Sequence, residues 1–191
     1  MSTDRLQHYW QTFVRKSDKY SLQWIFQEIV GDLYRYGLRY VGNEEDVKDA
    51  IQDVFVNIWT YRKTLPGQVN VKAYLLVSLR HQLIKMKGYI KFDLLTSDHE
   101  RLLSTEEDEP VIDPGIKEAI ISKVNDLPER QREILYLKYF EELSYSEIAL
   151  VLNIKYQSVI NQAHRAVTKL RSDRQLGRLV AFKLNLNLNH S

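Results

Sequence analysis

The chain has 191 residues, of which 44% are hydrophobic and 27% charged, a balance typical of a folded globular protein rather than a disordered one. Its net charge of only +2 does not by itself suggest a nucleic-acid partner, and the lack of cysteine excludes disulfides and thiolate metal sites. The polar start and the lack of any apolar stretch of about 20 residues predict no signal peptide and no membrane insertion, and therefore a cytoplasmic protein.

Helical periodicity dominates the first ninety residues. Apolar residues recur at three- and four-residue steps, and glycine and proline are scarce, with seven and four copies. A cap at Ser17 or Asp18 starts the second helix, and Val41-Gly42-Asn43 ends it. The predicted helices span about residues 4–15, 18–40, 44–61 and 71–89, with a turn at residues 65–67.

The second half begins with an acidic segment. Residues 92–114 carry eight acids, one arginine and two prolines with little periodicity, which predicts a linker. Further helices are predicted over about residues 115–124, 128–140, 144–152 and 156–172, with Pro128 at a first helical position and Ser144–Glu147 as a capping box. The tail, residues 175–191, alternates leucine and asparagine near its end and gives no structural prediction.

Charge is distributed unevenly along the chain. Residues 60–91 carry seven basic side chains and no acid, and residues 143–191 carry seven basic side chains against two acids. Because phosphate contacts come from clustered lysine and arginine, two cationic segments divided by an acidic linker predict two polyanion-binding faces. The first segment also contains Tyr74 and Tyr89, with Phe92 just beyond it. Basic sequence interleaved with aromatic residues suits capture of a single strand, although core packing is the alternative for the tyrosines and is the prediction for Tyr74.

Residues 144–172 have the pattern of a helix-turn-helix. Asn153 lies where the tight turn needs a left-handed residue, which asparagine tolerates. The second helix is predicted to expose side chains that bond base edges or phosphate, and an ordinary helical hairpin with a solvated face is the alternative. These candidates are Gln157, Ser158, Asn161, Gln162, Arg165 and Lys169.

Two groups of residues resemble one protein family. The first consists of Asp49, Gln52, Asp53, Val54, Phe55, Tyr74, Leu75 and Arg80. The second consists of Leu127-Pro128, Arg130–Arg132, Leu143–Ala149, Val159, Arg165-Ala166 and Leu170-Arg171. Together they are similar to RNA polymerase sigma factors of the extracytoplasmic-function group.

The resemblance implies an all-α protein with two small helical domains. Residues 1–91 would bind core polymerase and the minus-ten promoter element. Residues 115–174 would be the helix-turn-helix domain that binds the minus-thirty-five element, and the linker would thread toward the catalytic cleft. The implied partners are the clamp of core RNA polymerase and promoter DNA, with an anti-sigma factor as a further candidate. No catalytic residue, cofactor or metal is implied.

The resemblance also assigns binding residues. Asp46, Asp49, Gln52, Asp53 and Val56 would face the clamp. Lys72, Arg80, His81, Lys85 and Lys87 would bind the minus-ten element, and the family usually has Asn at the position of His81 and often Asp at that of Lys85. Lys155 joins the helix-turn-helix candidates at the minus-thirty-five element.

Two alternatives stay open on the sequence. The first is a free-standing helix-turn-helix regulator with an N-terminal dimerisation or sensing domain, which would have no need of the Asp49, Gln52 and Asp53 face. The second is an enzyme. It is the weaker one, because the five histidines are scattered and no glycine-rich phosphate loop occurs.

Overall fold

A computed structural model describes residues 3–88, residue 92 and residues 122–171. The described ranges contain seven helices of eight or more residues and no strand, in agreement with the predicted all-α class. The helices are α1 (Thr3–Lys16), α2 (Lys19–Val41), α3 (Glu44–Thr60), α4 (Val71–Lys87), α5 (Glu129–Tyr139), α6 (Tyr145–Leu152) and α7 (Tyr156–Arg171). Residues 122–125 are helical as well. The predictions for residues 93–121, for Tyr89 and for the tail lie outside the described residues.

Local capping fixes the starts of α2, α3 and α4 and the end of α2. Asp18 begins α2 by accepting hydrogen bonds from the hydroxyl and backbone N–H of Ser21, at 2.6 and 2.9 Å, and these bonds lower the pKa of Asp18. Gly42 ends α2 in the left-handed region, at φ 61°. Asn43 and Asn70 cap α3 and α4 with their side-chain oxygens. The predicted boundaries of α1 to α4 are confirmed to within two residues.

Contacts divide the chain into two compact units, residues 1–91 with 146–154, and residues 92–145 with 155–191. In the first unit, helices α1 to α4 pack around a shared apolar core. Its largest fully buried side chains are Trp10, Phe13, Ile25, Ile29, Leu33, Tyr36, Leu75, Leu76, Leu79 and Leu83. Gly37 lets α2 approach α3 closely, since a Cβ atom there would lie 2.7 Å from Cγ1 of Val47.

In the second unit, α5 packs against α7. Its apolar cluster consists of Leu127, Leu135, Ala166 and Leu170. The buried guanidinium of Arg132 donates to the carbonyl oxygens of Asn125, Leu127 and Phe92 at 2.8 to 3.0 Å. Because one cation binds Phe92 and residues 125–127 at the same time, Arg132 organises the entry into α5.

Two sequence predictions in this unit are wrong. Phe92 is fully buried against the Tyr136 ring, and its N–H donates to Glu129 at 2.8 Å. It therefore cannot stack on an unpaired base, and it is anchored rather than part of a solvated linker. Pro128 takes the N-cap position, with φ −53° and ψ 142°, so α5 begins one residue later than predicted.

Candidate protein and nucleic-acid interfaces

The outer face of α3 carries the residues predicted to contact polymerase. Asp49, Gln52 and Asp53 are exposed, and Val56 exposes 53% of its surface. Asp46 is half-buried because its carboxylate forms an ion pair with Lys87 on α4, at 2.6 Å. Side chains at positions i, i+3, i+4 and i+7 share one helical face, so these residues form a single surface with acidic, amide and apolar character.

An apolar groove lies beside this surface, between α2 and α3. It has a volume of about 810 Å³, and Gln52 and Val56 are part of its wall. The apolar wall consists of Phe26, Val30, Ile51, Phe55 and Trp59. Sequence reasoning did not identify Phe26, which exposes 38% of its surface. The sequence did indicate its exposure, because Phe26 does not lie on the helix face that contains the buried residues Ile25 and Ile29.

A smaller pocket of about 250 Å³ lies beside α4. Two of the predicted minus-ten residues, His81 and Lys85, are exposed and belong to its lining. Tyr61 and Leu65 contribute from the segment after α3, and Tyr74 contributes from α4. Tyr74 was predicted to be a core residue, but it is only half-buried, and that burial raises the pKa of its phenol. The pocket therefore combines aromatic rings with a cation and polar side chains.

The other predicted minus-ten residues take part in contacts within the protein. Lys72 is largely buried and pairs with Asp32 at 2.9 Å. Arg80 donates from Nε to the Tyr40 hydroxyl at 3.3 Å and lies over the ring of Tyr40. Lys87 pairs with Asp46, as described above. Of the five predicted residues, His81 and Lys85 are thus the two that line the pocket.

The turn that joins α6 to α7 has the predicted length and backbone conformation. A turn of three residues follows α6, and its first residue, Asn153, has φ 51°. Helix α7 then presents polar and basic side chains to solvent. The exposed candidates are Lys155, Gln157, Ser158, Asn161, Arg165 and Lys169. Gln157 donates to Asn161 at 3.2 Å, which orders two of these side chains with respect to each other.

Two of the candidates on α7 form hydrogen bonds with other parts of the second unit. The side-chain oxygen of Gln162 accepts a hydrogen bond from Gln131 at 3.0 Å, and Gln162 is half-buried. The Lys169 ammonium donates to the carbonyl oxygen of Asp126 at 2.7 Å. Gln131 on α5 therefore orients Gln162, a support that sequence patterns could not reveal.

Comparisons with known proteins match both halves of the chain. Residues 25–88 match the family model described as sigma-70 region 2, and residues 117–170 match sigma-70 region 4. Together the two matches cover more than half of the chain. The chain belongs to the sigma-70 family, in its extracytoplasmic-function group.

Relatives and solved structures agree with this assignment. RNA polymerase sigma factor YlaC of Bacillus subtilis is 25% identical over 158 residues, which cover 80% of this chain and 91% of YlaC. The extracytoplasmic-function sigma factor SigM of the same organism is 25% identical over 150 residues, covering 78% and 91%.

The fold is similar to that of CnrH, solved in complex with the cytosolic domain of CnrY. The TM-score is 0.59 at 16% identity, with 97% of this chain and 99% of that chain covered. It also resembles the sigma factor RpoE of Bartonella quintana, solved with the anti-sigma factor NepR. In this case the TM-score is 0.54 at 15% identity, covering 86% and 97%.

The family assignment gives the function. The protein is an RNA polymerase sigma factor, which binds core polymerase and promoter DNA and directs the initiation of transcription. The free-standing regulator is not favoured, because region 2 and region 4 matches occur in order on one chain. None of the helices within the described ranges is long and apolar enough to cross a bilayer.

Proposed function

We propose that the sigma factor binds the polymerase clamp through the α3 face and the groove beside it. Asp49 and Asp53 would pair with basic clamp side chains, and Gln52 would donate and accept hydrogen bonds at the centre. Val56 and the apolar groove would supply the desolvated core that protein interfaces require. The observation that carries this proposal is the adjacency of exposed carboxylates and a large apolar groove on one side of α3.

The α4 pocket is the proposed minus-ten site. Its volume leaves room for one nucleobase, and its tyrosines offer rings on which an unpaired base can stack. Lys85 lies at the exposed side, where an ammonium can neutralise a backbone phosphate, and His81 can bond a base edge. Lys72 and Arg80 would act through the fold, because they hold α4 against Asp32 and Tyr40.

The exposed face of α7 is the proposed minus-thirty-five site. Gln157, Asn161 and Arg165 lie at successive helical turns, where their side chains can reach base edges in the major groove. Gln162 would contribute through its amide N–H groups, since its oxygen is held by Gln131. Lys155 and Lys169 at the two ends of the helix suit phosphate contacts, and Ser158 suits either kind of contact.

We also propose that the protein has no catalytic site of its own, and that it acts in the cytoplasm, where core polymerase and promoters are found. An anti-sigma factor is a further proposed partner. Support for that partner comes from the fold similarity to the RpoE chain that was solved with the anti-sigma factor NepR.

Promoter-dependent transcription tests the proposal. Purified core polymerase with the sigma factor would select sequences from a randomised promoter library, and the selected DNA would serve as the template for run-off transcripts. We expect transcripts that require both polymerase and sigma factor, and that are lost when the α4 pocket is altered by His81→Ala with Lys85→Ala. Full transcription by this double variant would contradict the assignment of the minus-ten site.

A further inference from the structure

Helix α1 touches the segment that joins α3 to α4. The indole N–H of Trp10 donates to the carbonyl oxygen of Pro66 at 2.9 Å. One turn earlier on the same helix face, the Gln7 side chain donates to the carbonyl oxygen of Gly67 at 3.2 Å. Helix α1 lies before residue 25, where the match to the sigma-70 region 2 model begins. These contacts are therefore made by a part of the chain that the family model does not cover.

The two ends of the joining segment are organised locally. At its start, the Thr64 N–H and hydroxyl both donate to the carbonyl oxygen of Tyr61 at 2.9 Å. At its end, the Asn70 side chain caps α4. Pro66 and Gly67 lie between these ends and are exposed. The bonds from α1 thus brace the middle of the segment, between its two local anchors.

The brace reaches the α4 pocket from two sides. Trp10 is fully buried, and its ring lies 5.3 Å from the ring of Tyr74, which lines the pocket. The residue preceding Pro66 is Leu65, which lines the same pocket. Trp10 therefore contacts Tyr74 on one wall of the pocket directly. It holds Leu65 on the other wall through the carbonyl group of the next residue, Pro66.

We propose that α1 is a positioning element for the minus-ten site, with Trp10 and Gln7 fixing the distance between Leu65 and Tyr74. The proposal rests on the proposed function of the pocket as the place where an unpaired promoter base binds. A preorganised pocket binds its ligand more tightly because less conformational freedom is lost on binding. Loss of the brace should therefore weaken capture of that base and leave the polymerase and upstream surfaces intact.

The test measures how protein variants change the effect of removing single bases from the promoter DNA. The probe is fork-junction DNA whose single-stranded minus-ten segment is first selected from a random pool by wild-type holoenzyme. Each base of the selected strand is then replaced in turn by an abasic site, and holoenzyme affinity is measured for each DNA. If the pocket captures a base, wild-type holoenzyme loses about tenfold or more in affinity at one position.

Trp10→Phe keeps an aromatic ring but removes the donor, and Gln7→Leu removes the second donor at similar size. We expect each variant to bind intact DNA about three- to tenfold more weakly, with a correspondingly smaller loss at the sensitive position. Trp24→Phe is the matched control, because Trp24 stacks on Tyr9 at 4.1 Å, away from the joining segment. This control should retain the wild-type pattern, and affinity for core polymerase should stay unchanged in all three.

Each other outcome is informative. If both variants weaken binding to every DNA equally and keep the full loss at the sensitive position, α1 contributes only stability, and the inference is overturned. If wild-type holoenzyme has no sensitive position, the pocket does not capture a base, and the proposed function of the pocket fails together with the inference. If Trp10→Phe unfolds the first unit, Gln7→Leu alone still tests the inference, because Gln7 is not fully buried.

Discussion

Reversing the charge of Asp49 is the cleanest test of the polymerase-binding face. Asp46 pairs with Lys87, and Asp53 accepts a hydrogen bond from Gln82 at 2.6 Å, so changes at either residue also disturb α4. Within the described residues, no ion pair or hydrogen bond engages the exposed Asp49 carboxylate. Asp49→Arg should therefore leave the free energy of unfolding within about 0.5 kcal/mol of the wild type.

The expected loss of affinity follows from electrostatics at the interface. One charge pair at 4 Å contributes about 1 kcal/mol even in a fully aqueous environment. Charge reversal removes that attraction and adds a repulsion of similar size, so Asp49→Arg should cost at least about 2 kcal/mol. This corresponds to a roughly thirtyfold higher Kd for core polymerase. Partial exclusion of water at the interface would raise the figure.

The assay is equilibrium binding of labelled sigma factor to purified core polymerase, at two salt concentrations. Glu28→Arg makes the same reversal at an exposed position of α2 outside the predicted face and should change the Kd little. The Asp49→Arg effect should shrink at higher salt, because ions screen exposed charges. An unchanged Kd for Asp49→Arg, with its thermal unfolding intact, would refute the assignment of α3 to the clamp.

Three further predictions concern packing, pH and DNA contact. Gly37→Ala should destabilise the first unit by ~1–3 kcal/mol in denaturant unfolding, because its methyl group would collide with Val47. Gly31→Ala, in the same helix but facing only the flexible end of a side chain, should instead stabilise it by about 0.5–1 kcal/mol. Burial raises the pKa of Tyr139 to about 12, whereas an unfolded tyrosine titrates near 10. Its contribution to stability is therefore complete below about pH 10 and lost between pH 10 and 12, and Tyr139→Phe should reduce that loss in alkaline unfolding curves. Arg165→Ala should weaken binding to the upstream element by ~1–3 kcal/mol, with the loss confined to one base position, and an equal loss on DNA of every sequence would argue against a base-edge contact.

Features that depend on neighbouring residues were predictable from the sequence. Asp18 and Asn43 begin helices because their side-chain oxygens bond backbone N–H groups two or three residues later. Gly42 and Asn153 take left-handed backbone conformations that few other residues adopt without strain. Such signals lie within one helical turn, so the sequence contains both partners side by side.

Features that depend on distant partners were not predictable. Phe92 follows a basic segment and precedes an acidic one, and nothing near it indicates that Glu129 and Arg132 bind its backbone. Lys72 similarly belongs to an acid-free segment, yet its ammonium pairs with Asp32, forty residues earlier. Periodicity identifies which helix face is apolar but not which helix lies against it, and the identity of that neighbour decides whether a charge is paired.

The links between α3 and α4 affect how the two proposed surfaces can be separated. Lys87 was predicted to bind DNA and Asp46 to bind polymerase, but the two form one ion pair. A basic clamp side chain that approaches Asp46 would compete with Lys87 for the same carboxylate, and a phosphate near Lys87 would compete with Asp46. Removing either partner therefore alters the charge of both surfaces at once, and a single substitution cannot assign the lost affinity to one of them. Asp49 on the polymerase side and His81 and Lys85 on the DNA side lie outside this pair. Substitutions at these three residues can therefore test the two surfaces separately.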